Sequence, residues 1–219
     1  MDRVIKVIGN GRLTVKPDMF RISVDISSTD PDYNTAVRTI SEYTGEIKGY
    51  LAELSIDEMD IKTTDFRVDT EFEGYNDENG NWRQRFKGYR ARHSVKIEHE
   101  TDDELIGRIL FTLAGSKARP EFRISYFVKD TEAAKTELLA LATESSRRKA
   151  ETLCKAAGVT LGRIMTIDYS WGDMELTSPT VGVIAENRML AKASMSCDMG
   201  IVPDDIVISD SVSVVWEII

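Results

Sequence analysis

Phe20-Arg21-Ile22-Ser23-Val24-Asp25-Ile26 alternates apolar and polar residues without a break. Successive side chains of an extended chain point to opposite faces, so this stretch predicts a strand whose buried face is Phe20, Ile22, Val24 and Ile26. Next along the chain, Asp30-Pro31 has the form of a helix N-cap and first helical position. Tyr33, Val37, Ile40, Ile47, Leu51 and Leu54 then recur at three-, four- and seven-residue spacings, which predicts a long amphipathic helix ending near Ser55. Residues 61–72 alternate again, with Phe66, Val68, Thr70 and Phe72 on one side, whereas 73–80, rich in Gly, Asn, Asp and Glu, read as a loop. Residues 86–98 resume as strand through Tyr89, Ala91, His93, Val95 and Ile97. Thr101-Asp102-Asp103-Glu104 has the form of a capping box for a short helix carrying Leu105, Ile109 and Leu113. Phe122, Ile124, Tyr126 and Val128 give one more alternating strand. Strand, helix, strand, strand, helix, strand across 19–129 is a split β-α-β order.

Beyond it, Asp130 can cap a helix through Ala134, Leu138, Leu141, Ala142, Leu153 and Ala157, closed by Gly158. At roughly 27 residues and 1.5 Å rise it would span about 40 Å. Residues 4–15 and 206–216, near the two ends, both read as strands, as does 164–169. Gly9-Asn10-Gly11 interrupts the first of these and reads as a tight reversal or bulge, and Pro17-Asp18 ends it. Residues 172–205 form a connection of a length that is usually functional, disordered or assembly-related. The expected fold class is α+β: mostly antiparallel sheets with amphipathic helices packed on them, in one domain over 1–219 with a possible subdivision near 130.

Composition narrows the function. The 219 residues suffice for a buried core, and 42% hydrophobic residues is ordinary for a globular chain. Twenty-eight basic against thirty-seven acidic residues leave a net charge of −9, which repels phosphate backbones and makes nucleic acid a poor partner. Cys154 and Cys197 have no CxxC spacing; they leave room for a single bridge but do not resemble a disulfide-stapled framework. No apolar run of about eighteen residues occurs, so no transmembrane helix is expected. Met1-Asp2-Arg3 leads straight into Val4-Ile5-Lys6-Val7 without an apolar leader or cleavage site. The chain as written is therefore expected in the cytoplasm, or in the periplasm if it is a trimmed mature form.

Candidate chemistry is sparse. In Met195-Ser196-Cys197-Asp198-Met199 the sulfurs alternate, so an extended segment would present Met195, Cys197 and Met199 on one side, an arrangement that would suit a Cu(I) site. Ordinary apolar packing of Met and Cys explains the same pattern, and no histidine accompanies it. His93 and His99 are the only histidines, too far apart along a strand to share a metal locally; His93 reads as a half-buried strand residue rather than a proton-transfer group. Gly9-x-Gly11 is not followed by a helix, as a phosphate loop would be, and no Gly-x-Ser-x-Gly elbow is present. Arg83, Arg85, Lys87, Arg90 and Arg92 interleave with Trp82, Phe86 and Tyr89, a mixture that single-strand binders use. Asp69, Glu71, Glu73, Asp77 and Glu78 occupy the other half of the predicted hairpin, so cross-strand ion pairing explains both runs, with self-association or an acidic ligand as the alternatives. Arg147-Arg148-Lys149 reads as a solvated helix face.

The opening strand with Gly9, Gly11 and Pro17-Asp18, the mid-chain Gly88-Tyr89-x-Ala91, the helix end 149–158 with Leu161-Gly162, and the closing strand 203–214 together resemble the SIMPL-domain family, in the same order over nearly the whole chain. The resemblance implies an α+β protein without established catalytic residues or cofactor, associated with oxidative or envelope stress defence and able to form a large homo-oligomer. We therefore expect no enzyme but a self-assembling structural or interaction protein. The strands at either end and the 172–205 connection could each pair with a neighbouring subunit by strand addition. A small-ligand or soft-metal module at Met195, Cys197 and Met199 is the alternative.

Overall fold

The computed structural model describes residues 3–169, 176–177, 181–183 and 203–219. In chain order the elements are β1 (Val4–Val15), β2 (Met19–Asp30), α1 (Tyr33–Glu53), a 3-10 turn (Glu58–Asp60), β3 (Ile61–Asn76), β4 (Trp82–Glu100), α2 (Asp103–Gly115), β5 (Glu121–Phe127), α3 (Thr131–Ala157), β6 (Leu161–Asp168), β7 (Val181–Val183) and β8 (Ile206–Ile218). The fold is α+β, with the strands in two sheets. The described residues fall into two compact units: 19–126 with 181–183 form an inserted unit, and 3–18, 127–169, 176–177 and 203–219 form a split-chain unit.

In the inserted unit the sheet order is β3-β4-β2-β5-β7. β4 lies between β2 and β3 and runs antiparallel to both, which is the split β-α-β arrangement expected from the element order. Phe20, Ile22, Val24 and Ile26 are buried, as their alternation requires, against Ile40, Ile47 and Leu51 of α1 and Ile109, Leu110 and Leu113 of α2. Removing a fully buried aliphatic or aromatic side chain of this kind from water contributes about 1.5–3 kcal/mol.

Both helix starts differ by a residue or two from expectation. The cap of α1 is Asp32, not Asp30: Asp32 accepts from the Thr35 backbone N–H at 2.8 Å, while the Asp30 carboxylate accepts from the Asp32 N–H at 2.8 Å. Pro31 thus sits before the helix, where its missing N–H costs nothing. In α2 the cap is Asp102, accepting from Leu105 N–H at 3.1 Å.

The split-chain unit is a three-stranded sheet, β1-β8-β6, with α3 packed on it. Asp130 caps α3 by accepting from Ala133 N–H at 2.9 Å, and Gly158 closes it in the left-handed region at φ 71°, both as the sequence predicts. β1 and β8 pair antiparallel along their whole length, from Val4 opposite Glu217 to Val15 opposite Ile206. β8 also pairs with β6, so both its edges are occupied and it offers none to a neighbouring subunit.

The reversal expected at Gly9-Asn10-Gly11 does not exist: β1 runs straight through it. Ile5, Val7, Gly9, Gly11, Leu13 and Val15 face inward, and the two glycines lie under α3. A Cβ built on Gly9 would stand 2.0 Å from the Ala142 carbonyl oxygen, and one on Gly11 2.4 Å from that of Leu138. The helix answers with small buried residues four apart, Ala142, Ser146 and Ala150. The glycines permit close helix-to-strand approach rather than a turn. Trp216 Nε1–H donates to Ser146 Oγ at 3.3 Å beside this contact.

Candidate interaction site on the inserted unit

β2 pairs with β4 only as far as Asp30 opposite Tyr89, whereas β3 follows β4 on to Asn76 opposite Trp82. Beyond Tyr89, therefore, the two strands have only each other among the described residues and form a two-stranded arm. The expected loop at 73–80 is strand up to Asn76, and the reversal is confined to 77–81. Asp77 accepts from the backbone N–H groups of Asn79 at 3.0 Å and Asn81 at 2.9 Å and from Arg83 Nε–H at 3.1 Å. These bonds, the Asn81 amide foremost, hold its carboxyl below the ordinary carboxylate range. Gly80 supplies the positive φ of 77° that the tight turn requires.

At the arm's base the register shifts: Glu71 lies opposite Gly88 but Phe72 opposite Phe86, so Lys87 is an extra residue. A side chain at Gly88 would stand 2.6 Å from the Asp30 carbonyl oxygen, which explains the glycine. One face of the arm is an ion ladder. Arg83 meets Asp77 at 3.1 Å, Arg85 meets Glu73, and Glu71 receives both Lys87 at 2.8 Å and Arg90 at 2.5 Å. Hydrogen bonds to Glu71 from Lys87 and then Thr29 keep its carboxyl below the usual range. Cross-strand pairing thus accounts for Arg83, Arg85, Lys87 and Arg90 of the basic run, but not for Arg92. The pairs are solvent-facing, so they fix register more than they stabilise.

The opposite face of the arm is aromatic. Phe72 and Phe86 meet edge to face with centroids 6.1 Å apart, Phe86 meets Tyr89 at 5.3 Å, and Tyr89 meets Tyr33 of α1 at 5.4 Å. Trp82 lies across Gly74, where a Cβ would stand 2.0 Å from its ring. Yet Trp82 is 68% exposed, Phe72 55%, Phe66 51% and Phe86 47%, so the row stays open to solvent. The sequence shows the two halves of this row separately, Phe66 and Phe72 on one strand and Trp82, Phe86 and Tyr89 on the next; with residues 73–80 read as a loop, it does not show the pairing that joins them.

The remaining expected positions fall into place individually. His93 is half-buried between two threonines: its Nδ1 is 2.9 Å from Thr44 Oγ1 and its Nε2 3.0 Å from Thr63 Oγ1. Thr44 Oγ1–H already donates to the Ile40 carbonyl at 2.8 Å, so it accepts from Nδ1–H, and Nε2 accepts from Thr63. Burial lowers the pKa of His93, with Lys48 adding to the effect. A neutral, satisfied ring with two hydroxyl partners matches the half-buried strand reading. His99 Nδ1 lies 3.2 Å from the Glu100 carbonyl, away from any acid–base partnership with His93. On α3, Arg147 pairs with Glu151, Arg148 with Glu144, and Lys149 Nζ donates to the Ile8 carbonyl. Met195, Cys197 and Met199 lie outside the described residues, as does most of 172–205. Among the described residues no three His, Cys, Asp or Glu side chains gather as metal ligands, and no helix is long and apolar enough to cross a membrane. A polar pocket of about 380 Å³ on the sheet face away from the helices includes Arg90 and Arg92 of the basic run together with Asp25, Arg67 and Arg123, which sequence alone did not connect.

The family model described as SIMPL, protein of unknown function (DUF541), matches residues 5–216. No curated protein matches the chain.

Proposed function

The chain belongs to the SIMPL family, whose function is unknown, and from that starting point we propose that it is a non-enzymatic, self-assembling structural protein joined through the β3–β4 arm. The observation that carries this reading is the exposed aromatic row of Phe66, Phe72, Phe86 and Trp82 beside the outer edge of β3. β3 is 16 residues long, contains no proline, and has no partner on its outer side among the described residues. A free edge of that length invites another strand, and a second copy of the same edge supplies one in an isologous, two-fold arrangement. A second copy also suits the arm's charges: acids on β3 and bases on β4 are already balanced, so no strongly charged partner is called for. The aromatic rows would be buried at the same time, and such side chains dominate interface energetics. Of the strands at the chain's ends, β8 has both edges occupied, whereas β1, like β3, has no partner on its outer side among the described residues; the exposed aromatic row is what favours β3. We place this assembly in oxidative or envelope stress defence, the setting that the sequence resemblance implies.

Light scattering coupled to gel filtration tests the reading. Between about 1 and 100 μM the chain is expected to run at a multiple of 24.6 kDa, and Phe72→Ser with Phe86→Ser to shift it to the single-chain mass with its circular dichroism unchanged. A wild-type chain that stays at 24.6 kDa throughout, or a double variant that assembles as before, refutes it.

A further inference from the structure

The geometry points to a binding site for a small oxyanion, centred on Arg92, on the face of the five-stranded sheet that α1 and α2 do not cover. Alternation along the strands brings Asp25 and Ser27 of β2, Arg67 of β3, Arg92 and Ser94 of β4 and Arg123 of β5 to one pocket of about 380 Å³. Three of its cations are already engaged. Arg123 donates to Asp25 at 3.0 Å, Arg90 to Glu71 at 2.5 Å, and Arg67 stands between Asp65 at 3.5 Å and Asp69 at 3.8 Å. Asp25 in turn accepts from the Ser94 hydroxyl, which fixes the wall of the pocket.

Arg92 differs. It is half-buried, and no carboxylate among the described residues lies at ion-pair distance from it. Its cross-strand neighbour on β3 is another guanidinium, Arg67, and on β2 it is Ser27. Like charges directly opposite on adjacent strands are destabilising, and whereas Lys96, opposite Lys62 on the same face, is offset by Glu98 at 2.9 Å, Arg92 has no such counter-charge among the described residues. An anion seated between the two forks removes the repulsion, accepts planar bidentate hydrogen bonds from both, and has the Ser27 hydroxyl beside it as a neutral donor. A compact dianion, a phosphate group or a dicarboxylate, fits this chemistry. A polyanion does not, because the whole chain carries −9 and Asp65 and Glu121 also line the pocket. The site is independent of the assembly reading, since it faces away from the aromatic side of the sheet and the test below does not depend on oligomeric state.

Calorimetric titration of the full chain with inorganic phosphate, and separately with malonate, at constant ionic strength tests the inference. Saturable binding of at least one is expected, weakened at least about tenfold by Arg92→Gln, as the loss of one charge-assisted pair requires. Arg92→Lys, which keeps the charge but not the fork, should fall between. Arg163→Gln, on the other unit, should bind as the wild type does. A response to phosphate alone identifies a phosphate-bearing ligand, and one to malonate alone a carboxylate. If Arg92→Gln does not fold, Arg67→Gln must show the same loss. No saturable binding of either anion up to about 10 mM, or unweakened binding by the folded variant, overturns the site.

Discussion

Replacing Gly9 by alanine adds one methyl group to the inward face of β1 and should cost the split-chain unit far more than a methyl's worth of free energy. The new Cβ would lie 2.0 Å from the Ala142 carbonyl oxygen, 2.6 Å from the Ser146 nitrogen and 2.7 Å from the Ser146 Cβ. Two of those atoms are helix backbone and cannot rotate away, so restoring an ordinary separation of about 3.5 Å needs a displacement of about 1.5 Å between strand and helix. A gap of that order forfeits at least a quarter of the local dispersion contacts. Applied to Val7, Val212, Val214 and Trp216, each with burial worth about 1.5–3 kcal/mol, the loss is about 2 kcal/mol. The Trp216–Ser146 hydrogen bond adds about 1 kcal/mol, for a total of about 3 kcal/mol, the upper end for overpacked cores. Urea unfolding monitored by tryptophan fluorescence measures it, in a background where Trp82→Phe and Trp171→Phe leave Trp216 as the reporter. With a slope of about 2 kcal/mol per molar the midpoint should fall by about 1.5 M. Gly49→Ala provides the contrast. It stands on the exposed side of α1 with nothing within 4 Å of its would-be Cβ, and should stabilise its helix by about 0.5–1 kcal/mol, seen as slower amide exchange in α1. A Gly9→Ala midpoint within about 0.3 M of its parent would refute the close-approach argument.

Further outcomes follow from local geometry. The pKa of His93 is lowered in the folded state by burial, so the unfolded chain binds the proton more readily; stability of the inserted unit is complete above the ordinary 6.5 and declines as pH falls through it. Denaturant midpoints at pH 7.5 and 5.5 should therefore differ in wild type and converge in His93→Gln, and a wild-type midpoint that rises on acidification would contradict the assignment. Asp130→Ala removes the side-chain acceptor at the start of α3 and should destabilise the split-chain unit by about 1 kcal/mol, whereas Asp130→Asn should largely restore it. Equal losses in both variants would show that the cap is not the cause.

The regular amphipathic elements were legible because burial imposes a period on them. Phe20 to Ile26 and the Asp130–Gly158 helix each satisfy one face and one pair of end signals, and both stand where the sequence places them. The errors arise where one residue type serves two physical purposes. Glycine at 9 and 11 suits a reversal and a close helix approach equally, and what separates them is α3, about 130 residues away along the chain. Residues 73–76 carry Glu, Gly and Asn because the arm they belong to has no buried face to fill; its strand geometry is maintained from across the ladder by Arg83, Arg85 and Trp82, which local propensity cannot register. Arg92 looked like one member of a basic run. Only the strand register, which sets Arg67 rather than an acid opposite it, distinguishes it from Arg85, opposite Glu73, and Arg90, opposite Asp69.

The zipping of β1 onto β8 has a consequence for biogenesis. The central strand of the split-chain unit is synthesised after all its other elements, so β1 and α3 leave the ribosome with their inward faces, Val7 and Leu138 among them, still lacking a platform. The 19–126 stretch has no such wait, because both partners of its central strand β2 lie within that stretch, so it can mature during translation. Closure of the second sheet then becomes the slow, late event, governed by a search between segments some two hundred residues apart. Until it happens, the nascent chain exposes an adhesive surface that a chaperone would have reason to cover.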